Sequence, residues 1–294
     1  MRPGLFKISH ISVLAYALLF SAELSGQSYS FRNYGKANNL PGTVVYTLNQ
    51  DDNGYLWLGT NEGIAKFDGF DFYTVLYPDS STGRYPTVTL KDQEGNLWFG
   101  CNDGSVFRSN GKALEQVVMP NSSSTGISAI LQESDGRLFI ISQRQPFFLI
   151  DPDKPTNVST ISFREDPGIF SAELAPSGEI LFGTQENLLV CRIAGDSVNT
   201  VSRVEGFDYA RIMAVQHLGD TKDFMIGTDG NGLFRLRLEE SGPVLTRFSG
   251  FPVLESLSVR SLVKDSKNSI WITTSGEGIF RMSFGEDPST PVSV

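Results

Sequence analysis

Histidine is nearly missing from this 294-residue chain: only His10 and His217 occur, and His10 lies in an N-terminal stretch that reads as a leader. One remaining imidazole builds neither a Ser-His-Asp triad nor a multi-histidine metal site. Cysteine is equally scarce, with Cys101 and Cys191 alone. The two fall in separate copies of the repeat described below, so buried free thiols are expected rather than a disulfide. Positive charge is also in deficit, with 24 Lys and Arg against 33 Asp and Glu, a formal net charge of −9. Without the leader residues Arg2, Lys7 and Glu23, 22 basic and 32 acidic residues remain, a net charge of −10. Such a surface repels phosphate backbones and anionic headgroups, and no basic stripe counters it, so nucleic acid is excluded as a partner. There is no Gly-x-Gly-x-x-Gly or Walker-type lysine motif, and no calcium loop with spaced oxygen ligands. No metal, no cofactor and no catalytic residue is expected. No segment after the leader is long and apolar enough to span a bilayer.

The leader itself is residues 1–26. A basic flank (Arg2, Lys7) precedes a short apolar stretch from Ile8 to Phe20, followed by small residues up to Gly26. That order describes a secretory signal peptide and predicts a periplasmic or secreted protein.

What the chain has in quantity is one phrase, repeated. A hydrophobic strand meets an acidic or glycine turn, then a large apolar residue followed by Gly-Thr or a remnant of it. The clearest copies are Asp51-Asp52-Asn53-Gly54-Tyr55-Leu56-Trp57-Leu58-Gly59-Thr60 and Asp92-Gln93-Glu94-Gly95-Asn96-Leu97-Trp98-Phe99-Gly100-Cys101. The anchors Trp57, Trp98, Phe139, Leu181, Met225 and Trp271 lie 41, 41, 42, 44 and 46 residues apart. A period near 40 to 45 residues, built from short strands, is the mark of a β-propeller with one blade per repeat. The predicted fold is therefore all-β, a propeller of six four-stranded blades near 44–77, 85–118, 127–163, 169–204, 211–248 and 259–284. The sixth repeat has three strands and then a short polar tail. The strand-like run 29–34 is expected to join it as the fourth, closing the ring and removing two exposed edges. A truncated seven-bladed propeller is the alternative.

The anchors are expected to wedge between blades as core residues rather than to serve as sugar platforms. The acidic pairs Asp51/Asp52 and Asp92/Glu94, with Asp265, recur at one place in the repeat, as a hairpin requires and a glycosidase pair does not. Ligand-binding candidates are what breaks the pattern on the loop rim. These are Arg84 and Tyr85 before the second blade, Arg144 in the third, Asp208, Tyr209 and Arg211 before the fifth, and Arg260 in the sixth. Arginines among tyrosines suit carboxylates or sugar hydroxyls. Arg84, Tyr85 and Arg144 are expected to be removable together with little effect on stability.

Val45-x-x-Leu48-x-x-Asp51-x-x-Gly54-x-Leu56-Trp57-x-Gly59-Thr60-x-x-Gly63-Ile64-x-x-Phe67-Asp68-Gly69 resembles the two-component regulator propeller repeat of bacterial sensor histidine kinases. The resemblance runs over roughly 29–284, close in the first two copies and degenerate in the third to fifth. It implies a non-catalytic sensor region outside the cytoplasm, an oligosaccharide as ligand class, and a membrane sensor kinase or another periplasmic protein as partner. Kinase output is not carried by these residues. The alternatives are a propeller-type polysaccharide lyase or glycosidase, and a docking scaffold.

Overall fold

The computed structural model describes residues 32–79, 83–120, 125–219, 222–249 and 252–284, with the backbone of Pro291–Ser293. The expected signal peptide and residues 29–31 of the expected closing strand lie outside them. Residues 32–34 carry no strand.

From Gly35 onward the chain is a propeller-like series of antiparallel meanders, each giving its four strands in chain order. Unit one contains β1 (Val45–Gln50), β2 (Leu56–Thr60), β3 (Gly63–Phe67) and β4 (Phe72–Val75). Unit two contains β5 (Pro86–Lys91), β6 (Leu97–Cys101), β7 (Val106–Ser109) and β8 (Leu114–Val117). Unit three contains β9 (Ile127–Gln132), β10 (Leu138–Ser142), β11 (Phe147–Ile150) and β12 (Val158–Phe163). Unit four contains β13 (Ser171–Leu174), β14 (Ile180–Gly183), β15 (Leu188–Ala194) and β16 (Ser197–Val204). Unit five contains β17 (Ile212–His217), β18 (Asp223–Thr228), β19 (Leu233–Glu239) and β20 (Gly242–Arg247). Unit six contains β21 (Val259–Lys264), β22 (Ile270–Thr274), β23 (Ile279–Phe284) and β24 (Pro291–Ser293).

The hairpin between the first two strands explains the acidic phrase. In unit two, Asp92 Oδ1 accepts the N–H groups of Glu94 and Asn96 at 3.0 and 2.8 Å, while Oδ2 accepts the indole N–H of Trp98 at 2.7 Å. Asp51 holds Trp57 the same way at 2.9 Å, and Asp265 holds Trp271 at 3.0 Å. One carboxylate thus shapes the turn and satisfies the polar atom of a large wedge. A cation from the third strand covers each ring: Lys66, Arg108 and Arg281 lie 4.8, 5.5 and 5.5 Å from the indole centroids. Where the tryptophan is replaced the aspartate goes too, leaving Glu133 with Phe139 and Ala175 with Leu181. Acid and indole are one device.

Glycine after the wedge has a separate cause. A Cβ on Gly100 would sit 2.5 Å from Ile127 Cγ2, and one on Gly227 2.4 Å from Val259 Cγ1. Both contacts are with the first strand of the following unit, so Gly is the residue that lets neighbouring sheets touch.

Five hydrophobic clusters hold the series together, each between consecutive units. Trp57, Trp98, Phe139, Leu181 and Met225 each point into the cluster shared with the next unit, and each is at most 2% exposed. Trp271 is only partly buried. Cys101 and Cys191 are buried free thiols in different clusters.

Two features depart from the sequence reading. The fourth strand of unit six is the C-terminal β24, with Ser293 opposite Ser283 and Pro291 opposite Phe284. The polar tail therefore supplies the strand that had been expected from residues 29–34, because it is the nearest free segment along the chain. Units three and four are also joined at their outer edges: β12 and β16 pair in parallel through Ser162–Ser197 and Phe163–Val198. That contact makes one eight-stranded sheet of two meanders.

Candidate functional site

The turns between second and third strands, and the segments leading into each first strand, lie together at one end of the units. Backbone bonds tie them: Asn61 N–H to the Val44 carbonyl, Asn102 to Tyr85, Gln143 to Gly126, Asp229 to Arg211 and Ser275 to Ser258, all within 2.7–3.1 Å. Just inside this rim, the first strands of units one, two, three, five and six each carry a register shift, leaving Tyr46, Thr87, Ser128, Met213 and Arg260 as the extra residues. Bulges re-aim side chains and concentrate at rims and binding sites. At Thr87 and Ser128 the hydroxyl is spent on structure, donating to the Ile127 and Ile169 carbonyls at 2.6 and 2.8 Å. Tyr46 and Arg260 put larger side chains where that hydroxyl latch would stand.

Two groups result. Tyr46 stacks on Tyr85 with centroids 4.9 Å apart and planes 19° apart. Burial, with Tyr85 beside it, pushes the Tyr46 phenol upward. In the second group, Asp229 stands between two cations: Arg211 Nη2 lies 2.9 Å from Oδ2 and Arg260 Nη2 lies 3.7 Å from Oδ1. Arg211 also lies 5.8 Å from the Phe170 ring. Two guanidiniums share one carboxylate, so donors remain for an incoming acid or hydroxyl. Nearby, Asp208 and Tyr209 form a left-handed corner (φ 52° and 62°) held by Asn231, whose amide donates to the Phe207 and Asp208 carbonyls at 3.0 and 3.3 Å. Phe207 is fully buried beneath it, while Tyr209 is 82% exposed.

The remaining sequence candidates sit apart from these groups. Arg84 is a structural latch, with Nε 2.7 Å from Asp103, Nη1 2.9 Å from Asp79, and its guanidinium over Tyr77 and Phe107 at 5.4 and 5.1 Å. Its side chain is 12% exposed between two carboxylates, an arrangement that favours a structural role. Arg144 makes one exposed ion pair with Asp166 at 3.1 Å. Sequence reasoning missed Tyr46, Phe170 and Asp229. Aligning the repeats at Tyr46, Thr87 and Ser128 would have exposed Tyr46 as the break in a hydroxyl series.

A cavity of about 800 Å³ opens elsewhere, between units four and five at the opposite, hairpin end. Val190, Phe224 and Leu238 wall it, with Arg192, Lys222 and Glu240 among its polar lining. Glu179 and Arg192, both in its lining, are hydrogen-bonded to each other. The sequence reading did not anticipate it. Also toward that end, burial pushes the Glu173 carboxyl up to about 7, despite an N–H from His217 at 3.2 Å and the charge of Lys264. Among the described residues, no three His, Cys, Asp or Glu side chains group as a metal site, and no helix is long and apolar enough to cross a membrane.

Residues 39–62 match the family model "two component regulator propeller". This segment is a two component regulator propeller repeat. The fold is shared with an extracellular domain assigned to a hybrid two component system of B. thetaiotaomicron, at TM-score 0.52 and 17% identity, over 82% of this chain and 38% of that one. A second such domain from B. thetaiotaomicron aligns at TM-score 0.55 and 19% identity, over 86% and 41%. A catalytically inactive virginiamycin B lyase from Staphylococcus aureus, solved with quinupristin, aligns at TM-score 0.67 and 17% identity, over 88% and 85%. At these identities the likeness concerns the fold. The chain spans about two-fifths of the length of the extracellular domains it matches. No curated protein sequence matches it.

Proposed function

We propose that this chain is an exported, non-catalytic ligand-sensing propeller of a two component signalling system, whose rim takes an oligosaccharide carrying acidic groups. The six meanders act as six blades. The observation that carries the reading is the Arg211–Asp229–Arg260 cluster, on the same rim as the Tyr46–Tyr85 stack. Guanidiniums recognise carboxylates in pairs, and flat aromatic faces receive sugar rings, so the two groups together suit an acidic glycan. A membrane sensor kinase is the partner that would read the bound state.

Titration calorimetry against neutral and acidic oligosaccharides tests this. Binding of an acidic member should weaken about tenfold or more in Arg260→Ala and in Tyr46→Ala, the loss of one charged or stacking contact. Affinity unchanged in both variants would retire the site. Product release from the same glycans at enzyme-like rates would instead favour a lyase or glycosidase.

A further inference from the structure

The five internal interfaces are a control for the two faces that have none. Each unit packs a trailing face, carrying its wedge, onto the leading face of its successor. On trailing faces, the residue opposite the Gly59-type position is Ile64, Val106, Leu188 or Leu233, each at most 1% exposed. Its counterpart in unit six, Ile279, is 64% exposed. Val263, beside Trp271, is likewise uncovered at 55%. On leading faces, Ile130, Val215 and Leu262 are buried, yet the equivalent Leu48 of unit one is 56% exposed. Val45 beside it is exposed as well. Among the described residues, no hydrophobic cluster joins unit six to unit one.

The open trailing face is nevertheless built for cover. Trp271 keeps the Asp265 carboxylate and the Arg281 cation, the assembly that in units one and two is packed against a successor. Thr273 stands where Gly59 and Gly100 do. Unit three tolerates a larger residue there, since Ile141 is buried in the cluster shared with unit four. We infer that the trailing face of unit six binds the leading face of unit one of a second copy. Among the described residues, the surface fitted to a trailing face is a leading face, five times over, and each copy presents one of each uncovered. The contact is head-to-tail, so copies add in a row or, where the rotation between them allows, close into a ring. Large uncovered apolar patches of this kind are interaction surfaces in soluble proteins.

Sedimentation of the full chain tests the inference. The wild-type mass should rise with concentration above that of the monomer. Leu48→Asp and Ile279→Asp should each stay monomeric alone. An equimolar mixture should form a one-to-one dimer and stop there, because each variant keeps the one face the other has lost. A wild type monomeric at every concentration overturns the proposal, and so does a mixture that stays monomeric while the wild type associates. Both positions are exposed, so circular dichroism and melting should match the wild type. A cross-link supplies an independent measurement should either variant misfold. Val45→Cys and Thr273→Cys in separate copies, at the positions whose counterparts Val259 and Gly227 meet across an internal interface, should join through an intermolecular disulfide on oxidation, the native thiols being buried. A disulfide formed inside a doubly substituted copy at high dilution would mean that the chain covers its own faces, and would also overturn the proposal.

Discussion

The Asp92–Trp98 device can be weighed by a double-mutant cycle. Asp92→Ala leaves the Trp98 indole N–H, in a fully buried side chain, without its 2.7 Å acceptor. A buried hydrogen bond to a charged acceptor contributes about 1.5–3 kcal/mol, and each of the two turn N–H bonds about 0.5–1.5. The single change should therefore destabilise by about 3–5 kcal/mol. Trp98→Phe keeps a ring but removes the donor and part of the packed volume, at a cost of about 2–3 kcal/mol. If the bond between them is the physical link, the two losses overlap. The double variant, which approximates the natural Ala175/Leu181 pair of unit four, should then cost about 1.5–3 kcal/mol less than their sum. Urea unfolding followed by tryptophan fluorescence and circular dichroism gives the four free energies, provided both probes report one transition. A coupling below about 0.5 kcal/mol would refute the device and leave the aspartate as a turn residue alone.

Gly100→Ala should destabilise by about 1–3 kcal/mol through overpacking against Ile127 and Val88, read as a lowered melting temperature. Arg84→Ala should cost about 2–3 kcal/mol by removing the cation held between Asp79 and Asp103, while glycan affinity stays unchanged. Glu173, raised from 4.5 to about 7, is neutral in the folded protein below that pH but ionises in the unfolded chain above 4.5. Stability should therefore fall as pH climbs through that window and then level off, by about 3 kcal/mol in order of magnitude. Glu173→Gln should abolish the slope: nearly neutral at pH 5, stabilising at pH 8. Equal effects at both pH values would sink that account.

The repeat period, the wedges and the hairpin turns were legible because each depends on residues close in the chain. Asp and Trp six apart, Gly at the point of contact, and Gly or Asn where the turn needs a positive φ are local demands that every copy restates. The propeller-like, all-β series of meanders follows from them. The rim site was half legible. Arg211 and Arg260 stood out as breaks in the pattern, but Asp229, which brings them together, looks like an ordinary turn residue until the turn is placed against the neighbouring strand. The partners of Arg84 were illegible for the converse reason, since its two carboxylates converge only once Asp79 and Asp103 are folded onto it.

Contacts between units are another matter. The β12–β16 edge pairing, the cavity between units four and five, the capture of β24 by β23, and the uncovered Leu48 and Ile279 faces depend on how whole sheets are spaced. Repetition along the chain states how one unit meets the next. It is silent on what the first and last units meet, because neither Leu48 nor Ile279 differs in kind from its buried counterparts. Burial there is a property of neighbours in space, and only the assembled sheets assign those neighbours.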